Sequence, residues 1–418
     1  MRILLLSNLF PPAMLGGYER ACANVAAGLA ARGHTVRVLS GWSHLPLPAG
    51  EPDWIDRGLD LSRFFREETS HRLLEDRDLH GSICSSLANT FCVLDRMRRF
   101  RPDIVYVWNV VGLGAAALLD LLNRIDVPWA IHLMDRVPSE IIGGASPAVL
   151  GLFDAHDGGL YDGARVLVMS RLLLDEIESM TGFTLPQAEI VPGWVDLATA
   201  VPHAAYRRDG TTRFVTAGAL IPQKGIGLMI EAAARLKGEQ RRFRLDIYGD
   251  GDRATYVAMA RAWQVDDRVR FLGPRPQPEL IRLLADYDAF LFPTWEREPF
   301  GFAPLEAAGS GTPPIMTRNC GAAERLVDEV HCLKIDRDAA SLAAAMTRVA
   351  TGSVDLARLG RAGQRLVAQD LTLSRALDRI EAVLQAQGRP WRGEAAADPK
   401  LPLLLYLKHH LSLSLRFG

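Results

Sequence analysis

Short apolar runs of strand length alternate with amphipathic helical stretches along almost the whole chain, and no other feature restricts its fold as much. Segments 3–7, 35–40, 104–108, 129–133, 165–169 and 189–191 read as buried strands, with helical patterns in most of the gaps. A second series follows, with strands predicted over 213–217, 244–248, 269–272, 289–292 and 314–316 and helices over 226–237, 254–263, 278–285 and 302–308. Residues 339–387 read as helical with breaks. Parallel neighbours in a sheet cannot be joined by a tight turn. They need a crossover, which a helix supplies, so the alternation predicts parallel sheets covered by helices. The unit is most compact at the start: a helix over 18–32 stops at Gly33, suited to a left-handed cap, and Thr35-Val36-Arg37-Val38-Leu39 follows at once.

Between the two series, residues 197–212 have no period and collect Pro202, Gly210 and charges, as a linker does. At 418 residues the chain exceeds one ordinary core and suits two domains. The expected fold class is α/β, with two Rossmann-like, doubly wound parallel-sheet domains over 1–196 and 213–370. Such sheets bind ligands at the carboxyl ends of their strands, and two in tandem are expected to face a central cleft.

A net charge of -1, with 48% hydrophobic and 23% charged residues, gives no overall bias toward nucleic acid or an anionic surface, so no nucleic-acid partner is expected. The five cysteines are odd in number and lack both the close pairs of a zinc site and the density of a disulfide scaffold, which fits a reducing cytoplasm. The apolar run Ile3-Leu4-Leu5-Leu6 is far short of a secretory segment and reads as a strand. Residues 110–122 include Asp120 and are too short to span a bilayer.

Function must be read from strand ends. The stretch T-W-E-R-E-P-F-G-F-A-P-L-E over 294–306 follows a predicted strand and leads into a helix, with Glu298 in the loop and Glu306 on the helix. A carboxylate in such a loop accepts hydrogen bonds from sugar hydroxyls, one on the helix can hold a ribose diol, and the helix start at Phe302 offers free amides to a phosphate. Two solvated glutamates are the plain alternative, and spacing alone does not exclude it. Lys224 stands before Gly225 and a helix start, where the dipole disfavours a cation unless an anion is near. Gly16 and Gly17 precede a helix and allow backbone amides to approach a phosphate. Of the Asp-x-Asp sequences, Asp286-Tyr287-Asp288 precedes its strand and lies at the wrong end of the sheet, whereas Asp250-Gly251-Asp252 is well placed.

Six segments together resemble glycosyltransferase family 4. E-P-F-G-F-A-P-L-E is similar to its Glu-x7-Glu signature, and G-A-L-I-P-Q-K-G over 218–225 to its diphosphate-binding segment. Gly16-Gly17-Tyr18-Glu19 resembles its Gly-Gly loop, His132 its histidine motif, Gly249-Asp250-Gly251 the loop after its second carboxy-terminal strand, and P-G-W-V-D over 192–196 its interdomain junction. The resemblance covers roughly residues 1–388. It implies the two-domain GT-B fold, with a carboxy-terminal helix over 371–388 packing back on the amino-terminal domain and an apolar tail over 389–418 beyond it.

The resemblance also implies retaining transfer from a UDP-, GDP- or ADP-sugar to a saccharide or lipid-linked acceptor, in cell-surface polysaccharide or glycolipid synthesis. Lys224, Glu298 and His132 would be catalytic. Gly16, Gly17, Gly249, Asp250, Gly251, Phe300, Gly301, Phe302 and Glu306 would bind the donor. No cofactor or metal ion is implied, since relatives carrying Gly-Asp-Gly do not use it for a metal. Two departures stand out: Ala219 occupies the place of a family arginine, and Cys320 replaces the first glycine of a late Gly-Gly-x-x-Glu segment. Arg297 and Arg318 are the candidate substitute cations; a catalytically weak binding or scaffold subunit is the reading if none substitutes.

The acceptor is expected on the amino-terminal domain, whose least regular region is 41–101. There Arg96, Arg98, Arg99 and Arg101 either complement a helix carboxyl end or, as the resemblance implies, form a docking patch for a lipid-linked acceptor or for an anionic membrane bound peripherally at its cytoplasmic face. In the tail, Leu411, Leu413, Leu415 and Phe417 alternate, so an added edge strand or partner contact competes with surface anchoring.

Overall fold

The computed structural model describes residues 1–14, 16–42, 50–61, 80–203, 205, 206 and 208–415. It divides into two compact units, Met1–Val191 with Leu377–Gly418, and Pro192–Ala376.

In the first unit the order is β1 (Arg2–Ser7), α1 (Gly17–Ala31), β2 (Thr35–Trp42), β3 (Ile55–Asp60), α2 (Leu87–Phe100), β4 (Ile104–Val107), α3 (Ala115–Arg124), β5 (Trp129–Leu133), α4 (Val137–Gly144), α5 (Pro147–Leu152), β6 (Ala164–Val168), α6 (Arg171–Thr181) and β7 (Glu189–Ile190). The strands form one parallel sheet in the order β3-β2-β1-β4-β5-β6-β7. β1 lies between β2 and β4 and is buried from Ile3 to Ser7, which is why its sequence is an unbroken apolar run rather than an alternation.

The second unit holds β8 (Thr212–Ala217), α7 (Ile226–Gly238), β9 (Phe243–Tyr248), α8 (Arg253–Ala262), β10 (Val269–Phe271), α9 (Gln277–Leu284), β11 (Ala289–Phe292), α10 (Phe302–Gly309), β12 (Pro314–Thr317), β13 (Leu333–Ile335), α11 (Ala339–Thr351) and α12 (Leu356–Asp370). Its parallel sheet runs β10-β9-β8-β11-β12-β13, so the chain reverses its direction of winding between β8 and β11. Ligands of open α/β sheets bind at such a switch point. The unit begins before β8: Tyr206 Oη donates to Gly311 O at 2.6 Å, and the His203 ring stacks on Tyr206 at 3.9 Å.

Two strands lie outside the sequence reading, β3 and β13. Both are edge strands, only part-buried, and Ile-Asp-Arg-Gly-Leu-Asp and Leu-Lys-Ile present no apolar run.

The chain closes with α13 (Leu373–Gln387) and α14 (Leu401–Leu415). From Leu377 onward it belongs to the first unit, where Arg32 pairs with Asp378 and Glu381 and His34 with Glu381, each at 2.8 Å. The edge strand considered for the tail does not form. Leu401, Leu405, Lys408 and Ser412 recur at helical spacing and are the buried positions of α14, a pattern that three alternating leucines do not outweigh. Pro402 falls in the first turn, where no amide is required. Phe417 lies outside the described residues, as do 43–49 and 62–79 of the irregular region assigned to the acceptor.

Gly225 joins β8 to α7 with φ of 71°, and a Cβ there would stand 2.2 Å from Pro293 O. Gly225→Ala should therefore destabilise the second unit by about 2 kcal/mol or more. Urea denaturation measures this, and an unchanged midpoint would show that the turn relaxes freely.

Candidate active site

Loops after β8 and β11 meet at the switch point of the second unit. The turn at Pro222–Lys224 is stitched to the loop after β11 by Trp295 N donating to Gln223 O at 2.9 Å and by the close packing of Gly225 on Pro293. This brings Lys224 Nζ onto Glu298 Oε2 in an ion pair. The same carboxylate oxygen accepts from Thr294 Oγ1 at 3.0 Å, and Lys224 Nζ lies 5.7 Å from the centre of the Phe292 ring. Glu298 keeps 13% of its side-chain surface and Lys224 27%, so the pair is shielded yet reachable. A second cation touches this turn, Arg337 Nη2 donating to Pro222 O at 3.1 Å.

Residues 298–300 run beside 320–322: Gly321 N donates to Glu298 O at 3.2 Å and Ala322 N to Phe300 O at 2.7 Å. Phe300 is buried, and Gly301 precedes the start of α10 at Phe302 with φ of 91°. Glu306, only 9% exposed, is held on α10 by Gln277 Nε2, which reaches it from the first residue of α9. Gly249 packs against the strand-end loop of β8 so tightly that a Cβ would stand 1.8 Å from Gly218 O. Leu220 N then donates to Asp250 O at 2.7 Å, which seats the 249–251 loop beside the 218–220 loop.

The remaining aspartates have structural partners. Asp252 caps α8 through Thr255 N at 3.2 Å, and buried Asp288 accepts from Arg213 N at 2.7 Å at the start of β8. Of the candidate substitute cations, Arg318 is turned to Asp336 at 3.0 Å and Asp328 at 3.7 Å, while Arg297 is exposed on the loop before Glu298. Ala219 is half-buried beside the 249–251 loop.

In the first unit, Gly16 precedes α1 and its amide donates to Glu19 Oε2 at 3.0 Å, so this amide is engaged by a carboxylate. Arg57 holds the loop after β1 from beneath, donating to Phe10 O at 2.9 Å and Pro11 O at 2.5 Å while pairing with Glu51 at 2.6 Å. His132 on β5 is fully buried. Its Nδ1 lies 2.7 Å from Tyr106 Oη, its ring packs 4.8 Å from Trp108, and Tyr18 Oη donates to its carbonyl at 2.9 Å. Burial lowers its pKa to about 3, so the imidazole is neutral at any physiological pH.

Thr294, Gln277, Arg337, Arg57 and Tyr106 were not singled out from sequence. Thr294 belongs to the 294–306 stretch and its strand-end position was a usable signal; the others come from distant segments and carried none.

Residues 15–199 match the model of Glycosyltransferase Family 4, and residues 203–366 match that of the Glycosyl transferases group 1. The chain belongs to glycosyltransferase family 4. It is 28% identical over 420 residues to the glycogen synthase of Mycobacterium tuberculosis strain H37Rv, covering 97% of this chain and 98% of the relative. Its fold is similar to that of sucrose-phosphate synthase from Thermosynechococcus elongatus, with a TM-score of 0.71 at 16% identity over 92% of this chain and 98% of that one. HepE from Anabaena in complex with UDP-glucose matches with a TM-score of 0.62 at 16% identity, over 92% of this chain and 100% of that one. The family 4 chain thus has the α/β GT-B fold and is a glycosyltransferase.

The neutral state of His132 has a consequence for stability. Unfolded, the imidazole takes up its proton near 6.5, but folded only near 3, so between these values the unfolded state binds more protons. Stability should fall as pH drops through that window, by up to about 1.4 kcal/mol per pH unit from this residue. Urea denaturation of His132→Gln should show a correspondingly shallower dependence between pH 6.5 and 4; equal slopes would refute the neutral assignment.

Proposed function

We propose that this glycosyltransferase moves a hexosyl or related unit from a nucleoside diphosphate sugar to a hydroxyl of a saccharide or lipid-linked acceptor, with retention at the anomeric carbon and no metal ion, in cell-surface polysaccharide or glycolipid synthesis. The observation that carries the reading is the Lys224–Glu298–Thr294 cluster at the switch point, with Glu306 fixed on the adjoining helix. The UDP-glucose complex of HepE supports a nucleotide-sugar donor, and the end-to-end similarity to a glycogen synthase supports a saccharide acceptor.

On this reading Glu306 receives the ribose hydroxyls, Glu298 orients sugar hydroxyls, and Gly249, Asp250 and Gly251 border the nucleoside. Lys224 and the amides at the start of α10 stabilise the diphosphate as negative charge develops on it. His132, neutral and fixed by Tyr106, acts by shape and hydrogen bonding rather than as a cation. The bond from the anomeric carbon to the β-phosphate oxygen breaks with its electron pair going to the diphosphate. The acceptor oxygen bonds to the same face, and its proton passes to the departing phosphate. The protein contributes position and charge rather than a nucleophile.

Ala219 motivates a second reading, a GT-B subunit that binds donor and catalyses weakly. Loss of a pre-organised cation costs on the order of a hundred-fold in rate. Release of UDP, GDP or ADP from a donor panel, with and without a saccharide and lipid-linked acceptor fraction, separates the two. Transfer by the wild type should fall about a hundred-fold or more in Lys224→Ala and Glu298→Gln. Glu306→Gln should chiefly raise the donor KM, and chelation of divalent ions should leave the rate unchanged. Donor binding without turnover by the wild type favours the weak subunit; a requirement for a divalent ion overturns the metal-free mechanism.

A further inference from the structure

A glutamate side chain turns about successive single bonds, and Leu305, Ala307 and Ala308, the neighbours of Glu306 on α10, offer it no polar side chain. A bond from α9 fixes the carboxylate instead, Gln277 Nε2 donating to Glu306 Oε1. An ionised carboxylate only accepts, so the nitrogen of the amide and not its oxygen must face it. The choice of an amide matters. A lysine or arginine in this place would offset the negative charge, whereas glutamine aims the carboxylate and leaves its charge to attract hydroxyl donors. With Glu306 buried and Gln277 half-buried, water competes little for the bond.

Gln277 is itself placed by the backbone around it. Pro276 and Pro278 flank it, each with its φ fixed by the ring, and Glu279 N and Leu280 N donate to Pro276 O at 3.0 and 3.1 Å, which anchors the start of α9. The loop before Pro276 is tied to the end of β9, Leu272 N donating to Ile247 O at 2.9 Å and Gly249 N to Gly273 O at 3.1 Å. The 249–251 loop, the 273–276 loop and Glu306 therefore form one framework at the carboxyl end of the second sheet.

We propose that Gln277 is a positioning residue of the ribose subsite, which fixes the Glu306 carboxylate to receive a vicinal diol and so makes the site select ribonucleoside over 2′-deoxyribonucleoside diphosphates. The inference rests on the donor reading of Glu306. A carboxylate already held in place loses no rotamer freedom when the diol arrives, which is worth about tenfold in affinity. Gln277 acts through Glu306 and not on the diphosphate, so its effect falls on the donor KM rather than on kcat.

Calorimetric titration of the full chain with UDP, GDP and ADP, and with the 2′-deoxy form of whichever binds tightest, tests the assignment. Wild type should favour the ribose form by about tenfold or more. Gln277→Ala should lose about tenfold in affinity for the ribose form and little for the deoxy form, so that the preference collapses; in turnover the donor KM should rise by a similar factor with kcat within about twofold. Gln277→Met, which keeps the bulk and removes the donor, replaces the alanine variant if circular dichroism shows that one unfolded. Gln277→Glu supplies a signature that a merely structural contact would not. Near about pH 5 the two carboxylates share a proton and the bond survives, whereas near about pH 8 both ionise and repel, so affinity relative to wild type at the same pH should fall about tenfold across that interval. Undiminished ribose preference in Gln277→Ala, a pH-independent ratio for Gln277→Glu, or a wild type indifferent to the 2′-hydroxyl overturns the assignment and leaves the donor reading standing. Failure of the wild type to bind any of the nucleoside diphosphates overturns both.

Discussion

The candidate site depends on one close approach, that of the Pro222–Lys224 turn to the loop after β11. Only a residue without Cβ fits against Pro293 O at the end of that turn, and Gly225 meets this need in a left-handed conformation. Everything polar follows from it. With the backbone held there, the Lys224 ammonium cannot avoid Glu298, whose loop is fixed in turn by its bonds to residues 320–322. A lysine at a helix start is unfavourable by itself, because it opposes the dipole. The Glu298 carboxylate compensates, and together the two form a dipolar pair that a ligand carrying both phosphates and hydroxyls could satisfy better than water does. Packing thus creates the electrostatics on which the proposed donor reading rests.

This also explains which parts were legible in the chain. The central strands could be read because burial on both faces demands continuous apolar sequence; β3 and β13 lie at edges without such a run and were invisible, although the edge strands β7 and β10 were read. Glu298, Glu306 and Lys224 could be read because each lies at a strand end or helix start that the alternation places. Gln277 and Arg337 could not. Each reaches its partner across the fold from a segment whose local sequence carries no signal, and only tertiary geometry brings it there. Asp252 shows the opposite case, a residue in a suggestive motif that serves as a helix cap.

The tail illustrates how local pattern misleads. Three leucines at alternating positions suit a strand, but the helix is decided further upstream, by Leu401, Leu405 and Lys408 packing on the first unit. Lys408 is the unusual member. Burial lowers its pKa while Asp120 opposes the shift, and the cost of burying it is offset only because Asp120 is already bonded to Arg124 and has capacity for a second cation. A helix that turns its single lysine inward and its leucines outward reverses the pattern expected of one stabilised by water.

Ala219 remains the departure with the largest chemical consequence. In the proposed mechanism the diphosphate leaves with growing negative charge, and Lys224 is the cation nearest the switch point, already shared with Glu298. A donor phosphate must therefore compete with a carboxylate for the ammonium. The competition is winnable, since a diphosphate carries more charge than a carboxylate and accepts the α10 amides as well. It nevertheless weakens the net stabilisation relative to a site with two cations. Arg337, touching the same turn from the start of α11, is the side chain best situated to make up the difference, because Arg318 is committed to two aspartates. The missing arginine thus shifts attention from the strand ends read in sequence to a residue brought to the turn by helix packing.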